Sequence, residues 1–320
     1  MKRLFFGLLC LIFTGKDAYA WGFHGHRLIN RYAVFCLPES LFGFYKTHID
    51  WLADHATDAD KRRYAVAEEA CRHYLDCDRY EHAAPLDTLP MWWHDAVAQY
   101  GADTLQAHGI VPWHCYLMLQ RLTEAFKEKD IARILRISAD LGHYIADAHV
   151  PLHACGNYNG QRTGQHGIHG LWESRIPELY STSYDKLIGT SPYLNRPMEA
   201  IWEVIGESYA ASDSVLRLER GLNAAFPPDL KYSWENRGNG LVRVYSQAYC
   251  AAYDSLLQGM VVRRFRESIG MVAAYWYTAW VNAGQPDLPL STAAPGLSEA
   301  DKWMEQGFMQ GIIIGRPEEH

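Results

Sequence analysis

The chain is short of positive charge and of long apolar runs, and each shortage excludes something. Its 320 residues carry 30 Lys and Arg against 37 Asp and Glu, so it does not hold nucleic acid through a broad basic surface, which backbone-phosphate affinity requires. Any attraction for phosphate has to be local. The apolar run at residues 4–13 is about half the roughly 20 residues that a membrane span needs, which argues against a stable span. Linkers, internal repeats and low-complexity tracts are also missing, so the length goes into one large domain. No stretch sustains period-two alternation, which predicts an all-α, multi-helical fold.

What is present starts at the N-terminus. Lys2 and Arg3 precede the apolar run, and Ala18-Tyr19-Ala20 supplies small residues where a signal peptidase reads, predicting a signal peptide over residues 1–20 and export to the periplasm or the exterior. Without Lys2, Arg3, Lys16 and Asp17 the mature chain has 27 basic and 36 acidic side chains, a formal charge of -9. Six cysteines remain (Cys36, Cys71, Cys77, Cys115, Cys155 and Cys250), an even set that an oxidising compartment can pair. Cys71 and Cys77 flank His73 but read as core or disulfide residues rather than as metal ligands.

Apolar residues at helical spacing predict helices over residues 27–52 with a break near Pro38, 113–129, 131–147, from Pro197 through Ile205, over 241–257 and over 261–283, the last ended by Gly284. The main domain is expected over 21–284. Prolines 286, 289 and 295 mark an extended tail over 285–320, with a short helix at 298–309.

The chain is organised around residues 141–173, which contain His-x3-Asp-x5-His-x15-His-x3-Glu. His143 and Asp147 are four apart, as are His169 and Glu173, so on a helix each pair points one way and forms a clamp for a metal. Pro151 and the Gly/Asn-rich run 156–167 supply a loop that brings His153 toward the second clamp. Imidazole nitrogens mixed with carboxylate oxygens, with no required thiolate, favour zinc. Upstream, signal cleavage makes Trp21 the first residue of WGFHGH; its free amine and carbonyl can chelate, with His26 as partner. Asp58 and Asp60 both precede His73, and either can join a metal site. Asp60 has Arg63 one helical turn on, a guanidinium placed for a bound phosphate. Residues 80–109, with Trp92 and Trp93, are aromatic enough to wall a cleft, although ordinary core packing explains them as well.

WGFHGH, DKRRY, HYLD, HYIADAHVPLH and HGLWE together resemble the superfamily of zinc-dependent phospholipases C and single-strand-specific zinc nucleases, over most of the mature chain. The resemblance implies an all-helical fold with a trinuclear zinc site in a cleft. Asp60, His73, His143 and Asp147 would bind one ion; His153, His169 and Glu173 a second; the Trp21 backbone, His26 and Asp147 a third. It also implies that Asp60 handles the attacking water and that Arg63 contacts phosphate. Glu173 as the closing ligand is similar to the phospholipase pattern, whereas the tight Trp21–His26 spacing and the Asp60/Arg63 pair are similar to the nuclease. Asp58 matches the nuclease spacing to His73 better than Asp60 does, and stays an alternative.

The expected activity is zinc-dependent hydrolysis of a phosphodiester by a metal-activated water, phospholipase C-type first and nuclease or 3'-nucleotidase second. A non-catalytic, zinc-stabilised exported module is the third reading. Phospholipid or single-stranded nucleic acid or nucleotide is the expected substrate, and no dedicated protein partner is evident. Trp92, Trp93 and Trp113 suit either an acyl-chain lip or a base-stacking slot.

Overall fold

The structure, a computed structural model, describes residues 22–80, 85–237 and 240–290. The expected signal peptide, Trp21 and the short helix at 298–309 lie outside the described residues.

Three long helices build the centre: α5 (Val111–Glu128), α6 (Ile131–Ala148) and α9 (Met260–Asn282). They pack on one another, and α1 (Gly22–Ala33) lies against both α6 and α9. Local chemistry sets their ends. Lys129 takes a left-handed φ of 56° to close α5, and the Asp130 carboxylate accepts the Arg133 N–H at 3.0 Å to open α6. Pro197 occupies the first turn of α7 (Pro197–Ala225), where its missing N–H has no cost. The core is filled by Leu119, Leu122 and Phe126 of α5, Ile134, Leu135, Leu141 and Ile145 of α6, and Phe265, Ile269, Val272 and Trp276 of α9, all essentially inaccessible.

The stretch read as helical over 27–52 divides into α1, α2 (Glu39–Thr47) and α3 (Ile49–Asp54), with α4 (Asp58–Arg62) following. Beyond α7 the all-α expectation needs correction. Residues 241–257 are not one helix: β1 (Tyr232–Arg237) and β2 (Gly240–Tyr245) form an antiparallel hairpin, and only then does α8 (Gln247–Leu257) begin. Six residues per strand are too few to register as sustained alternation. The Ser246 hydroxyl, accepting the Tyr249 N–H at 3.1 Å, fixes the switch from strand to helix. Cys36, Cys71, Cys77, Cys115, Cys155 and Cys250 are all buried, and no disulfide joins any two of them.

Two contacts position α6. A Cβ added to Gly142 would meet Asn30 Oδ1 at 2.1 Å, so α1 approaches α6 at a point where only glycine fits. The Asn30 amide donates to the Ala139 carbonyl at 3.1 Å, locking that crossing. At the other end the buried Arg264 guanidinium of α9 donates to the His149 carbonyl at 3.0 Å and to Ser208 Oγ at 2.6 Å, and Ser208 in turn donates to the Ala148 carbonyl. The orphan carbonyls at the end of α6 are thereby satisfied. Among the described residues no helix is long and apolar enough to cross a membrane.

Candidate metal centre

Eight of the expected ligands lie in the described residues, and they converge. His143 and Asp147 come from the last two turns of α6, His26 from α1, and Asp60 from α4. His73 follows the 3-10 turn Ala70–Arg72, and His153 sits in the 3-10 turn Pro151–Ala154. His169 belongs to the helical turn Ile168–Gly170, and Glu173 to the π-helical segment Leu171–Arg175. All eight are buried, none more than 3% exposed.

They form two groups. In the first, His73 Nδ1 lies 2.9 Å and His143 Nε2 3.2 Å from Asp147 Oδ2, with 3.1 Å between the two nitrogens. Asp60 Oδ1 is 3.5 Å from His143 Nε2 and 3.8 Å from His73 Nδ1. His26 stacks on the His143 ring and brings its Nε2 to 3.3 Å from Asp147 Oδ1. Trp21, expected beside His26, lies outside the described residues. In the second group His153 Nε2 and His169 Nε2 are 3.1 Å apart, and the two Glu173 oxygens stand 3.3 and 2.8 Å from them. The groups are joined through the main chain, because His153 Nδ1 donates to the His73 carbonyl at 2.6 Å.

These atoms fit a metal better than they fit one another. His143, His153 and His169 each direct Nδ1 at a backbone carbonyl, of Ala56 (2.9 Å), His73 (2.6 Å) and Tyr158 (3.2 Å). A neutral ring that donates through Nδ1 presents a lone pair at Nε2, and His143, which Asp147 and Asp60 keep protonated, does so once a cation takes that proton's place. Two such lone pairs, on His153 and His169, therefore meet at 3.1 Å beside a carboxylate, an arrangement that repels unless a cation sits among them. Both Asp60 oxygens, both Glu173 oxygens, Asp147 Oδ1 and both His26 nitrogens are buried without a hydrogen bond, and leaving such groups unsatisfied is costly. Ligand atoms about 2.0–2.1 Å from a tetrahedral zinc stand about 3.3 Å apart, close to the separations in both groups.

Electrostatics point the same way. Burial pushes the Asp60 and Asp147 carboxyls up, but the facing imidazoles, His143 foremost, outweigh it, and Asp147 is held well below the carboxylate range. Burial likewise raises Glu173, and His169 and His153 reverse this to hold it at about 2. Burial lowers His143, yet Asp147 and Asp60 raise it well above the ordinary imidazole value. Burial, then the neighbouring His143, lowers His26. Three buried carboxylates thus stay ionised at neutral pH and demand positive charge.

The Asp58/Asp60 alternative separates spatially. Asp58 binds His55 Nδ1 at 2.5 Å and Lys61 Nζ at 3.0 Å, whereas Asp60 faces the cluster with the Arg63 guanidinium 4.0 Å away. Of the three tryptophans, Trp92 and Trp93 are exposed at 49% and 36%, and Trp113 is buried edge-on between Trp93 and Trp202. Sequence reasoning missed Glu69, fully buried, with Oε1 3.6 Å from His73 Nε2. Its one signal was an acidic residue four positions before a candidate ligand.

No family model matches the chain, and no curated protein does. Among solved structures the chain is similar to the alpha toxin from Clostridium absonum, at 12% identity and a TM-score of 0.46, covering 86% of this chain and 68% of that one.

Proposed function

We propose that the chain is an exported, zinc-dependent phosphoester hydrolase of phospholipase C type. The observation that carries the reading is the convergence of imidazole lone pairs and ionised carboxylates at tetrahedral-edge spacing in two joined groups. His73, His143, Asp147 and Asp60 would hold one ion and His153, His169 and Glu173 a second. His26, Asp147 and the Trp21 amine freed by signal cleavage would hold a third.

Three zinc ions add six positive charges against three carboxylates, leaving about +3 in an acidic protein, a local attractor for a phosphodiester. Zinc supplies Lewis acidity and hydroxide near neutral pH. The chain's own groups do the rest. Asp60 would orient the attacking water or take its proton. Arg63, held beside Asp60, offers planar donors to the developing charge on the phosphoryl oxygens. The Nδ1 bonds to Ala56, His73 and Tyr158 hold three rings in orientation, sparing reorganisation during the reaction.

The buried Asp60–Arg63 pair serves a phosphodiester of either kind, so a single-strand nuclease or 3'-nucleotidase is the second reading. One assay panel tests both: phosphatidylcholine, single-stranded DNA and 3'-nucleotides, with and without chelator, on processed protein. Chelator-sensitive release of phosphocholine is expected. Cleavage of DNA alone would transfer the assignment to the nuclease, and activity indifferent to chelation would overturn zinc hydrolysis altogether.

A further inference from the structure

Six side chains of the β1–β2 hairpin share one face. The register opposes Tyr232 to Tyr245, Trp234 to Arg243 and Asn236 to Leu241, and directly opposed residues lie on the same side of a sheet. Not one of the six is acidic, in a chain whose formal charge is -7. The outer part of this face is bare: Trp234 is 64% and Leu241 61% exposed, and Asn236 and Arg243 are exposed beside them. Trp234 and Leu241 are diagonal neighbours, close enough for large side chains to make one apolar patch. Arg243 lies over the Tyr232 ring at 3.9 Å and meets no carboxylate among the described residues.

The other face is fixed to the body. Arg175 Nη1 donates to Glu235 at 3.1 Å, and Arg237 Nη2 donates to Glu178 at 2.6 Å. Along the strand, Arg175 Nε donates to the Tyr245 carbonyl at 3.1 Å and the Tyr245 hydroxyl to the His166 carbonyl at 3.3 Å. Arg175 closes the π-helical segment that carries Glu173, and His166 lies three residues before His169. The hairpin is therefore tied to both ends of the stretch that supplies two ligands of the second group. At its base Lys231 is committed to Glu219 at 3.2 Å, which leaves Arg243 as the cation of the exposed face.

We propose that this face docks on the anionic surface of a phospholipid bilayer, with Trp234 and Leu241 entering the boundary between headgroups and acyl chains and Arg243 meeting headgroup phosphates. An indole has an apolar body and a polar edge, and settles where chains give way to headgroups. The adjoining leucine adds apolar area with no polar group to satisfy. A guanidinium with no carboxylate partner is free to pair with phosphate, and the lack of acidic groups on the face spares it repulsion from a negative surface. A single strand of nucleic acid would ask for a cationic track with successive stacking rings; this face offers one exposed indole, one cation and a leucine, which stacks on nothing. The inference deepens the phospholipase reading and rests on it for its purpose, but adsorption itself needs no turnover.

Co-sedimentation of the full-length processed protein with lipid vesicles tests it. The vesicles are phosphatidylcholine alone and phosphatidylcholine mixed with phosphatidylglycerol, each lipid carrying a methylene in place of the glycerol-side phosphate oxygen so that it stays intact. Wild type should bind the mixed vesicles. Trp234→Ser and Leu241→Ser should each weaken that binding roughly tenfold. Arg243→Gln should weaken it about fivefold and leave the lesser binding to phosphatidylcholine alone unchanged. All three should unfold at the wild-type urea concentration, as exposed substitutions do. A wild type left in the supernatant, or variants that sediment as wild type does, would overturn the proposal, as would a face that binds single-stranded oligonucleotide through Trp234 and no vesicle. Vesicle binding that depends on Trp234 in a protein that hydrolyses no phosphodiester would keep the docking face and sink the hydrolase reading.

Discussion

The two ligand groups are made from different kinds of backbone. In the first group His26, Asp60, His143 and Asp147 sit on helices whose buried faces lock them from behind, and His73 alone follows a 3-10 turn. His153, His169 and Glu173 sit on a 3-10 turn, a three-residue helical turn and a π-helical segment. In the first group the geometry is inherited from helix packing, through the Asn30–Gly142 crossing and the Arg264 clamp. In the second it depends on local bonds, such as Asn159 Oδ1 accepting the Gly167 N–H at 2.9 Å and His169 Nδ1 donating to the Tyr158 carbonyl. Regular structure aims side chains cheaply at one spacing only; a constellation needing four more ligands has to leave it, and π-helical segments often occur at such places.

Breaking the groups one at a time sharpens the contrast. The largest effect is expected from Asp147→Asn, because Asp147 meets His26 through one oxygen and His73 and His143 through the other. Phosphodiester turnover should fall by more than the roughly 100-fold that an outer-shell loss can cause, with zinc analysis showing the second group still loaded. The reciprocal Glu173→Gln should empty the second group and leave the first.

Gly142→Ala comes next. Its methyl would meet Asn30 Oδ1 at 2.1 Å, and urea unfolding should show a loss of about 1–3 kcal/mol, with zinc weakened in the first group alone. Acid should reach the metal-free protein through both groups, whose carboxyls are all lowered, and Glu173 gives the window. Glu173 titrates at about 2 in the fold against an ordinary value of 4.5, so the unfolded chain takes up its proton first. That stabilisation is complete above pH 4.5 and is lost as pH falls from there through about 2, which unfolding followed against pH will show. The smallest effect on turnover belongs to Asp58→Asn, whose partners His55 and Lys61 stand apart from the cluster. Asp58 is buried, so urea unfolding should show a loss of about 1–3 kcal/mol, with turnover unchanged.

The same contrast explains what could be read without coordinates. The helix carrying His143 and Asp147 was legible because i,i+4 spacing and an apolar stripe reinforce each other. The break at Pro38 and the helix start at Pro197 followed from proline's backbone alone. Asp60 and Asp58, two residues apart, were not separable by spacing; α4 turns Asp60 toward the His143 and His73 rings and Asp58 to His55 and Lys61. The hairpin was missed because Val242 and Val244 alternate over too short a stretch. Glu69 stayed hidden because an acidic residue near a histidine is common, and its meaning lies in Arg62, Arg72 and Tyr144, brought in from elsewhere in the chain. The close approach of Asn30 to Gly142 spans over a hundred residues and left no local mark.

Anomalous diffraction at the zinc edge, from crystals grown with zinc, tests the central claim most directly. The account predicts density about 2.0–2.1 Å from His153 Nε2 and His169 Nε2, and again from His143 Nε2 and His73 Nδ1. Well-ordered side chains with no anomalous peak in either group would contradict it.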